Sequence, residues 1–237
     1  MSDAASRPLD ARSEPGLPAL EQEARALLTW IVDEFDAERF ALVSAFGPGS
    51  SVLLHMLADI APTLPVIFID TLHHFAETLR HVERVRERYG LNLRVHRPAP
   101  DLETFERLHG PRLWERDVDR YQHVAKVEPF LLATRSLDGW ITGRRRDQSP
   151  TRASLPAVQG IAPTLVNPLA AWTRADVWRF IHAHGLPYNP LHDRGYTSVG
   201  DQPLTAPISS DEHERAGRWR GTDRLECGIH PNADWQI

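Results

Sequence analysis

The chain has one cysteine, Cys227, within the polar stretch Arg224-Leu-Glu-Cys-Gly-Ile-His230. A lone cysteine is most often a small buried hydrophobe. Here no apolar face surrounds it. Arg224 or a protonated His230 would stabilise a thiolate, and Glu226 would oppose it. A second concentration of chemistry is Gly143-Arg-Arg-Arg-Asp-Gln-Ser-Pro-Thr-Arg152. Its guanidinium groups, three consecutive and a fourth six residues later, are planar forks, and Arg145, Arg146 and Arg152 are the candidates for phosphate or sulfate. Without an anion or full solvation they would repel one another. A third stretch is Ser44-Ala-Phe-Gly-Pro-Gly-Ser-Ser51. Small residues between a strand and a helix let backbone N–H groups approach an anion, and Ser50 and Ser51 add hydroxyls. The loop is neither a Walker A sequence nor GxGxxG. A thiolate beside an arginine-bound oxyanion suggests attack on an electrophilic centre inside that anion.

These groups need elements to position them. Apolar residues recur at helical spacing from Leu20 to Phe35. Phe40–Ala45 reads as a buried strand, Val52–Ile60 as a helix and Pro65–Asp70 as a second strand. Phe75–Tyr89 predicts a charged amphipathic helix, followed by a strand at Leu91–His96. Asp101–Ser136 is less regular and more helical; Gly139–Gly143 and Thr164–Pro168 read as further strands. Thr173, with Asp176 three residues on, opens a helix that stops at Gly185. The alternation predicts βαβ units: an α/β fold, a single domain with a mostly parallel twisted sheet and helices on both faces. In such sheets ligands bind beyond the carboxyl ends of the strands, where the serine and arginine loops begin. Residues 1–18 are expected to be a disordered leader, 19–204 the binding domain, and 205–237 a mobile tail carrying Cys227.

The composition removes several classes. With 237 residues, 41% hydrophobic and 25% charged, the chain can bury a sizeable core. The net charge of −5 gives no overall bias toward nucleic acid. No apolar run approaches the roughly 20 residues of a membrane span, and no signal-like segment opens the chain. The expectation is a cytoplasmic protein with neither nucleic-acid nor membrane partners. One cysteine excludes an internal disulfide, a multi-cysteine zinc site and a four-cysteine iron–sulfur cluster held within one chain. Lys126 is the only lysine, so arginine supplies nearly all the positive charge.

The serine loop resembles the PP-loop of the ATP-pyrophosphatase-like superfamily, written SGGxDS. Phe46 and Gly47 replace the two glycines, and Gly49 stands where the Asp would be. That carboxylate helps to handle magnesium and pyrophosphate, so its absence argues against metal-assisted cleavage of ATP. The segment ECGIH resembles the ECGLH signature of assimilatory sulfonucleotide reductases. KVEP at Lys126–Pro129, GRRRDQSPTR, PLHDRGYTSVGD and the Asp70–Thr78 segment match that family in order, over about residues 20–230. The chain is most similar to the thioredoxin-dependent 3′-phosphoadenylyl-sulfate (PAPS) reductases. Adenylyl-sulfate (APS) reductases typically add a Cys-Cys pair before the KVEP-like segment and a Cys-x-x-Cys after Gly-Tyr-x-Ser-x-Gly, to bind a four-iron cluster. Here those regions read Tyr121-Gln-His-Val-Ala125 and Asp201-Gln-Pro-Leu204. Two positions depart from the family: Leu72 stands where Gly is common, and Leu225 where a basic residue often precedes Glu-Cys.

The resemblance implies a nucleotide held by Ser44, Phe46, Gly47, Ser50, Ser51, Asp70, Thr71 and Gly143. It implies a phosphosulfate or 3′-phosphate neutralised by Lys126, Arg145, Arg146, Arg152, Arg218, Arg224 and His230. Cys227 would attack the sulfate sulfur and become S-sulfocysteine, with no bound cofactor and no metal. One cysteine cannot resolve that intermediate, so thioredoxin or glutaredoxin is the expected reductant. A homodimer is the expected assembly. Three alternatives stand beside this reading: a cluster-free APS reductase, a PP-loop ATP pyrophosphatase or adenylyltransferase, and a catalytically silent nucleotide-binding module.

Overall fold

The structure is a computed structural model and describes residues 16–209, 212–220 and 228–229. The first helix, α1 (Leu17–Glu34), places Leu20, Ala24, Leu28 and Ile31 on one buried face. Strand β1 (Phe40–Val43) follows, then helix α2 (Pro48–Ile60), strand β2 (Val66–Ile69), helix α3 (Ala76–Tyr89) and strand β3 (Leu93–His96). Short helices α4 (Leu102–His109), α5 (Leu113–Arg116) and α6 (Val118–Gln122) lead into a π-helical turn, His123–Val127, and helix α7 (Glu128–Thr134). Strands β4 (Gly139–Ile141), β5 (Val158–Gln159) and β6 (Thr164–Val166) and helix α8 (Arg174–Ala183) complete the described elements.

Among the described residues, six strands form one sheet in the order β3-β2-β1-β4-β6-β5, all parallel except the β5–β6 pair. The alternation read from the sequence is therefore realised as a mostly parallel sheet covered by helices. Period-2 geometry divides the core in two. Phe40, Leu42, Val66, Phe68, Ile141 and Val166 face the large cluster that includes α1, α2 and α8 residues. Ala41, Val43, Ile67, Ile69, Trp140 and Leu165 face the smaller cluster with Phe130 of α7. Both faces being buried explains why the strands read as unbroken apolar runs.

Three local differences from the sequence reading have physical reasons. Helix α2 starts at Pro48, four residues before the expected Val52, because Pro is well suited to the first helical position after the extended Gly47. The whole Gly49–Ser51 stretch thus lies in the first helical turn. Strand β5 was not anticipated; with two residues at an antiparallel edge it leaves almost no periodic signal. Within the segment expected to begin a mobile tail, the described residues 205–209 and 212–220 make backbone bonds to the rest of the chain and to each other. Ala206 N–H donates to Gly217 O at 2.9 Å, Ile208 N–H to Gly195 O at 3.0 Å, and Trp219 N–H to Leu204 O at 3.0 Å. Trp219 is buried.

Candidate active site

Strands β2 and β3 extend the sheet to one side of β1, whereas β4, β6 and β5 lie on the other. The strand order reverses between β1 and β4, and a crevice opens beyond their carboxyl ends at such a switch point. A cleft of about 190 Å³ lies there, lined by Ser44, Gly47, Gly49 and Ser50 from the β1–α2 loop and by Thr142, Gly143 and Arg144 after β4. Two glycines let the loops touch: a Cβ on Gly49 would stand 3.0 Å from Gly143 O, and one on Gly143 3.3 Å from the Gly49 carbonyl carbon. At Gly49, where the PP-loop pattern has Asp, a larger side chain would therefore press on the neighbouring loop. The first-turn N–H groups of α2 have no intrahelical acceptor and carry the positive end of the helix dipole toward this crevice.

The cleft is cationic. Arg144, Arg145, Arg152, Arg215 and Arg218 line it with Lys126, against one lining carboxylate, Glu214, among the described residues. Lys126 is buried, on the π-helical turn. Such turns insert a residue into a helix and recur at functional sites. Arg144 is held by its Nε donating to Thr142 Oγ1 and Asn167 Oδ1, both at 3.2 Å. Arg145 is 2% exposed, and its guanidinium donates to Asp147 Oδ1 and Glu214 Oε2, each at 2.8 Å. Its charge is thus already compensated. Arg152 donates to Gln148 Oε1. Arg218 donates to Val199 O at 3.2 Å, with its guanidinium carbon 4.5 Å from the Trp219 ring centroid.

Behind the cleft lies a buried polar hub. Thr71 Oγ1 donates to Asp201 Oδ1 at 2.7 Å, and Gln202 N–H to His73 O at 2.8 Å. Asp201 is 1% exposed. Burial alone would raise its carboxyl, but Lys126, His74, the Thr71 hydroxyl and Arg218 outweigh that and hold it at about 2. The Tyr121 hydroxyl beside it is pushed up by burial and by the Asp201 charge. The two regions where cluster-bearing relatives carry cysteines, 121–125 and 201–204, thus come together. Here they hold a phenol, a carboxylate and Leu204, which packs against the cluster containing Tyr121.

Of the residues singled out in the sequence, Ser44, Gly47, Ser50, Lys126, Gly143, Arg145, Arg152 and Arg218 line the cleft. Phe46, Ser51, Asp70, Thr71 and Arg146 do not. Phe46 is buried against Phe68, Asp70 accepts from Leu72 N–H and Arg97, and Arg146 donates to Leu155 O. Asp70 and Thr71 instead brace the loop after β2. Cys227, Arg224 and His230 lie outside the described residues. Ile229, two residues after Cys227, lines the cleft and packs on the smaller core cluster. Arg144, Arg215, His74 and Asp201 were missed. Arg144 belonged to the conspicuous arginine run, and His74 and Asp201 lay in the Asp70–Thr78 and PLHDRGYTSVGD segments without being singled out, whereas nothing in local pattern marked Arg215. Among the described residues no group of three or more His, Cys, Asp or Glu side chains is placed to hold a metal ion. No described helix is long and apolar enough to cross a membrane.

Comparison with known proteins is consistent with this geometry. The phosphoadenosine phosphosulfate reductase domain matches residues 39–207. Adenosine 5′-phosphosulfate reductase of Chelativorans sp. is 40% identical over 234 residues, 94% of this chain and 94% of that protein. Phosphoadenosine phosphosulfate reductase of Emericella nidulans is 41% identical over 219 residues, 88% of this chain and 71% of that protein. The crystal structure of PAPS reductase from Candida auris, a phosphate complex, superposes with a TM-score of 0.70 at 31% identity, covering 85% of this chain and all of that one. FMN adenylyltransferase of Candida glabrata shares the fold alone: TM-score 0.56 and 20% identity over 91% of this chain and 78% of that one. With an arginine-lined crevice at the switch point and a match spanning most of its length, the chain belongs to the phosphoadenosine phosphosulfate reductase domain family and is a sulfonucleotide reductase.

Proposed function

We propose that this chain reduces PAPS to sulfite and adenosine 3′,5′-bisphosphate, with thioredoxin as electron donor and Cys227 as the sulfonate carrier. The observation that supports the reading is that Ile229, a member of the ECGIH segment, lines the cationic cleft. The nucleotide lies across the α2 N-terminus and the β1 and β4 loops. Lys126, Arg152 and Arg218 neutralise its phosphosulfate or 3′-phosphate, together with Arg224 and His230 from the same carboxy-terminal segment. The Cys227 thiolate attacks the sulfate sulfur, and a sulfur–sulfur bond forms as the sulfur–oxygen bond to the nucleotide breaks. The bridging oxygen leaves with its electron pair on adenosine 3′,5′-bisphosphate, a departure favoured by fixed positive charge around it. A donor thiolate then attacks Cys227 Sγ, and sulfite leaves with the electron pair, its sulfur reduced from +6 to +4. The donor's second thiol clears the mixed disulfide and returns Cys227 as thiolate. For Cys227 to meet both partners, the bonds that anchor Ala206, Ile208 and Trp219 break.

The single cysteine supports PAPS over APS, because the cluster of the APS branch would lack its ligands. Relatives named adenosine 5′-phosphosulfate reductase, 37% and 40% identical, favour the second reading, a cluster-free APS reductase. One experiment tests both. Pure protein incubated with PAPS, and separately with APS, without reductant should gain one sulfonate, about 80 Da, on Cys227 with PAPS only. Labelling by APS alone would establish the second reading. Labelling by neither, or sulfite release by Cys227→Ser, would remove the covalent mechanism.

A further inference from the structure

Arg218 reaches the cleft from a segment far in sequence from the sheet, so something must hold its guanidinium in place. The turn Val199-Gly200-Asp201 does so from two sides. Val199 O accepts from Arg218 Nη1 at 3.2 Å. A Cβ on Gly200 would overlap the guanidinium carbon and stand 2.7 Å from Nη1, so the group lies directly on the glycine. Gly200 does not have a positive φ, so its lack of a side chain serves this contact and not a turn conformation. Asp201 fixes the backbone of the same segment. Its carbonyl accepts from Thr205 Oγ1 at 2.8 Å, Thr205 pairs with Arg218 in an antiparallel bridge, and Leu204 O accepts from Trp219 N–H. The Asp201 carboxylate, anchored by Thr71, supplies the buried negative charge that faces Arg218 and Lys126.

We infer that Gly200 and Asp201 form a seat for the Arg218 guanidinium, which makes Gly200 a positioning residue for recognition of the sulfonucleotide's anionic groups. This rests on the cleft being the nucleotide site. The three atoms nearest a methyl group at position 200 all belong to the far end of the flexible Arg218 side chain, so the fold should tolerate the methyl while Arg218 is displaced.

The test is calorimetric titration of the full chain with adenosine 3′,5′-bisphosphate, for wild type, Gly200→Ala, Arg218→Ala and the double variant. Losing charge-assisted hydrogen bonds to the ligand should weaken binding about 10- to 100-fold in each single variant. The double variant should bind no more weakly than Arg218→Ala, and the melting temperature of Gly200→Ala should stay near wild type. In turnover, Gly200→Ala should raise KM for the sulfonucleotide more than it lowers kcat. Thr71→Val, which loosens Asp201 without touching position 200, should also weaken binding, with no further loss in the Arg218→Ala background. Losses that multiply in either double variant, or a Gly200→Ala affinity equal to wild type beside a weakened Arg218→Ala, would overturn the seat. An Arg218→Ala affinity equal to wild type would instead overturn the assignment of the cleft, and the seat with it.

Discussion

Among the described residues Phe46, Leu72, Arg112 and Trp219 sit where the backbone favours glycine, and the first two follow strands of the sheet. Phe46 has φ 53° and Leu72 has φ 66°, both in the left-handed region that costs an L-residue roughly 1–2 kcal/mol. Both follow strands that end at the site, Phe46 after β1 and Leu72 after β2. Phe46 is 2% exposed, edge-on to Phe68 at 5.5 Å, and its N–H is received by Ser44 Oγ at 3.0 Å. Deleting a buried Phe side chain costs about 3–5 kcal/mol. Phe46→Gly should therefore lower the unfolding free energy in urea by roughly 1–4 kcal/mol despite the relieved strain. Leu72 is only half-buried, so Leu72→Gly, which regains the residue common in the family, should change that free energy by less than about 1 kcal/mol. Equal losses in the two variants would show that strain and burial are not balanced as described.

At the scale of elements, legibility followed the range of the interactions. Helix α8 was readable to its cap: Asp176 N–H donates to Thr173 Oγ1 at 3.1 Å and Thr173 N–H to Asp176 Oδ2 at 2.8 Å, both bonds lying within four residues. The buried strands were readable from their apolar runs, and the arginine loop from its position after one of them. The Asp201 hub was not, because Thr71 and Asp201 are joined across 130 residues and local pattern, which marked the segment of each, carries no sign of their pairing. Nor was the docking of residues 205–209 and 212–220, which depends on Gly217 allowing a close approach to Ala206 O. Trp219 closes that segment, buried beneath the guanidinium groups of Arg215 and Arg218. Trp219→Ala should release the segment locally, since large aromatic deletions remove about 3–5 kcal/mol of packing. Hydrogen exchange at the Ala206 and Ile208 amides should accelerate at least tenfold while β1 and β2 amides stay protected. Uniform acceleration across the sheet would mean that the tail is part of the global folding unit.

For the whole molecule, one fold serves different chemistries: the Candida glabrata adenylyltransferase shares this sheet at 20% identity, so the reaction is set by side chains around the switch point. Holding those side chains on a buried frame has a consequence for stability against acid. Burial pushes His81 and His192 down to about 4, and lowers His74 as well. His81 rests edge-on to Phe46, and His74 stacks on Phe68, beneath the β1 and β2 loops that build the cleft. In the unfolded chain histidines titrate near 6.5. Below that pH the unfolded state binds more protons than the folded one, so stability falls as the solution becomes more acidic. The contribution of these groups is complete above about pH 6.5 and is lost progressively on descending toward pH 4, at up to about 1.4 kcal/mol per pH unit for each. Asp201, held at about 2, extends the same trend below pH 4. Urea midpoints measured from pH 7.5 to 4.5 should fall continuously below pH 6.5, and His81→Gln, with no imidazole to protonate, should show a shallower fall. A midpoint that rises toward pH 5 would mean that these imidazoles are charged in the folded state and that the frame beneath the cleft is open to water.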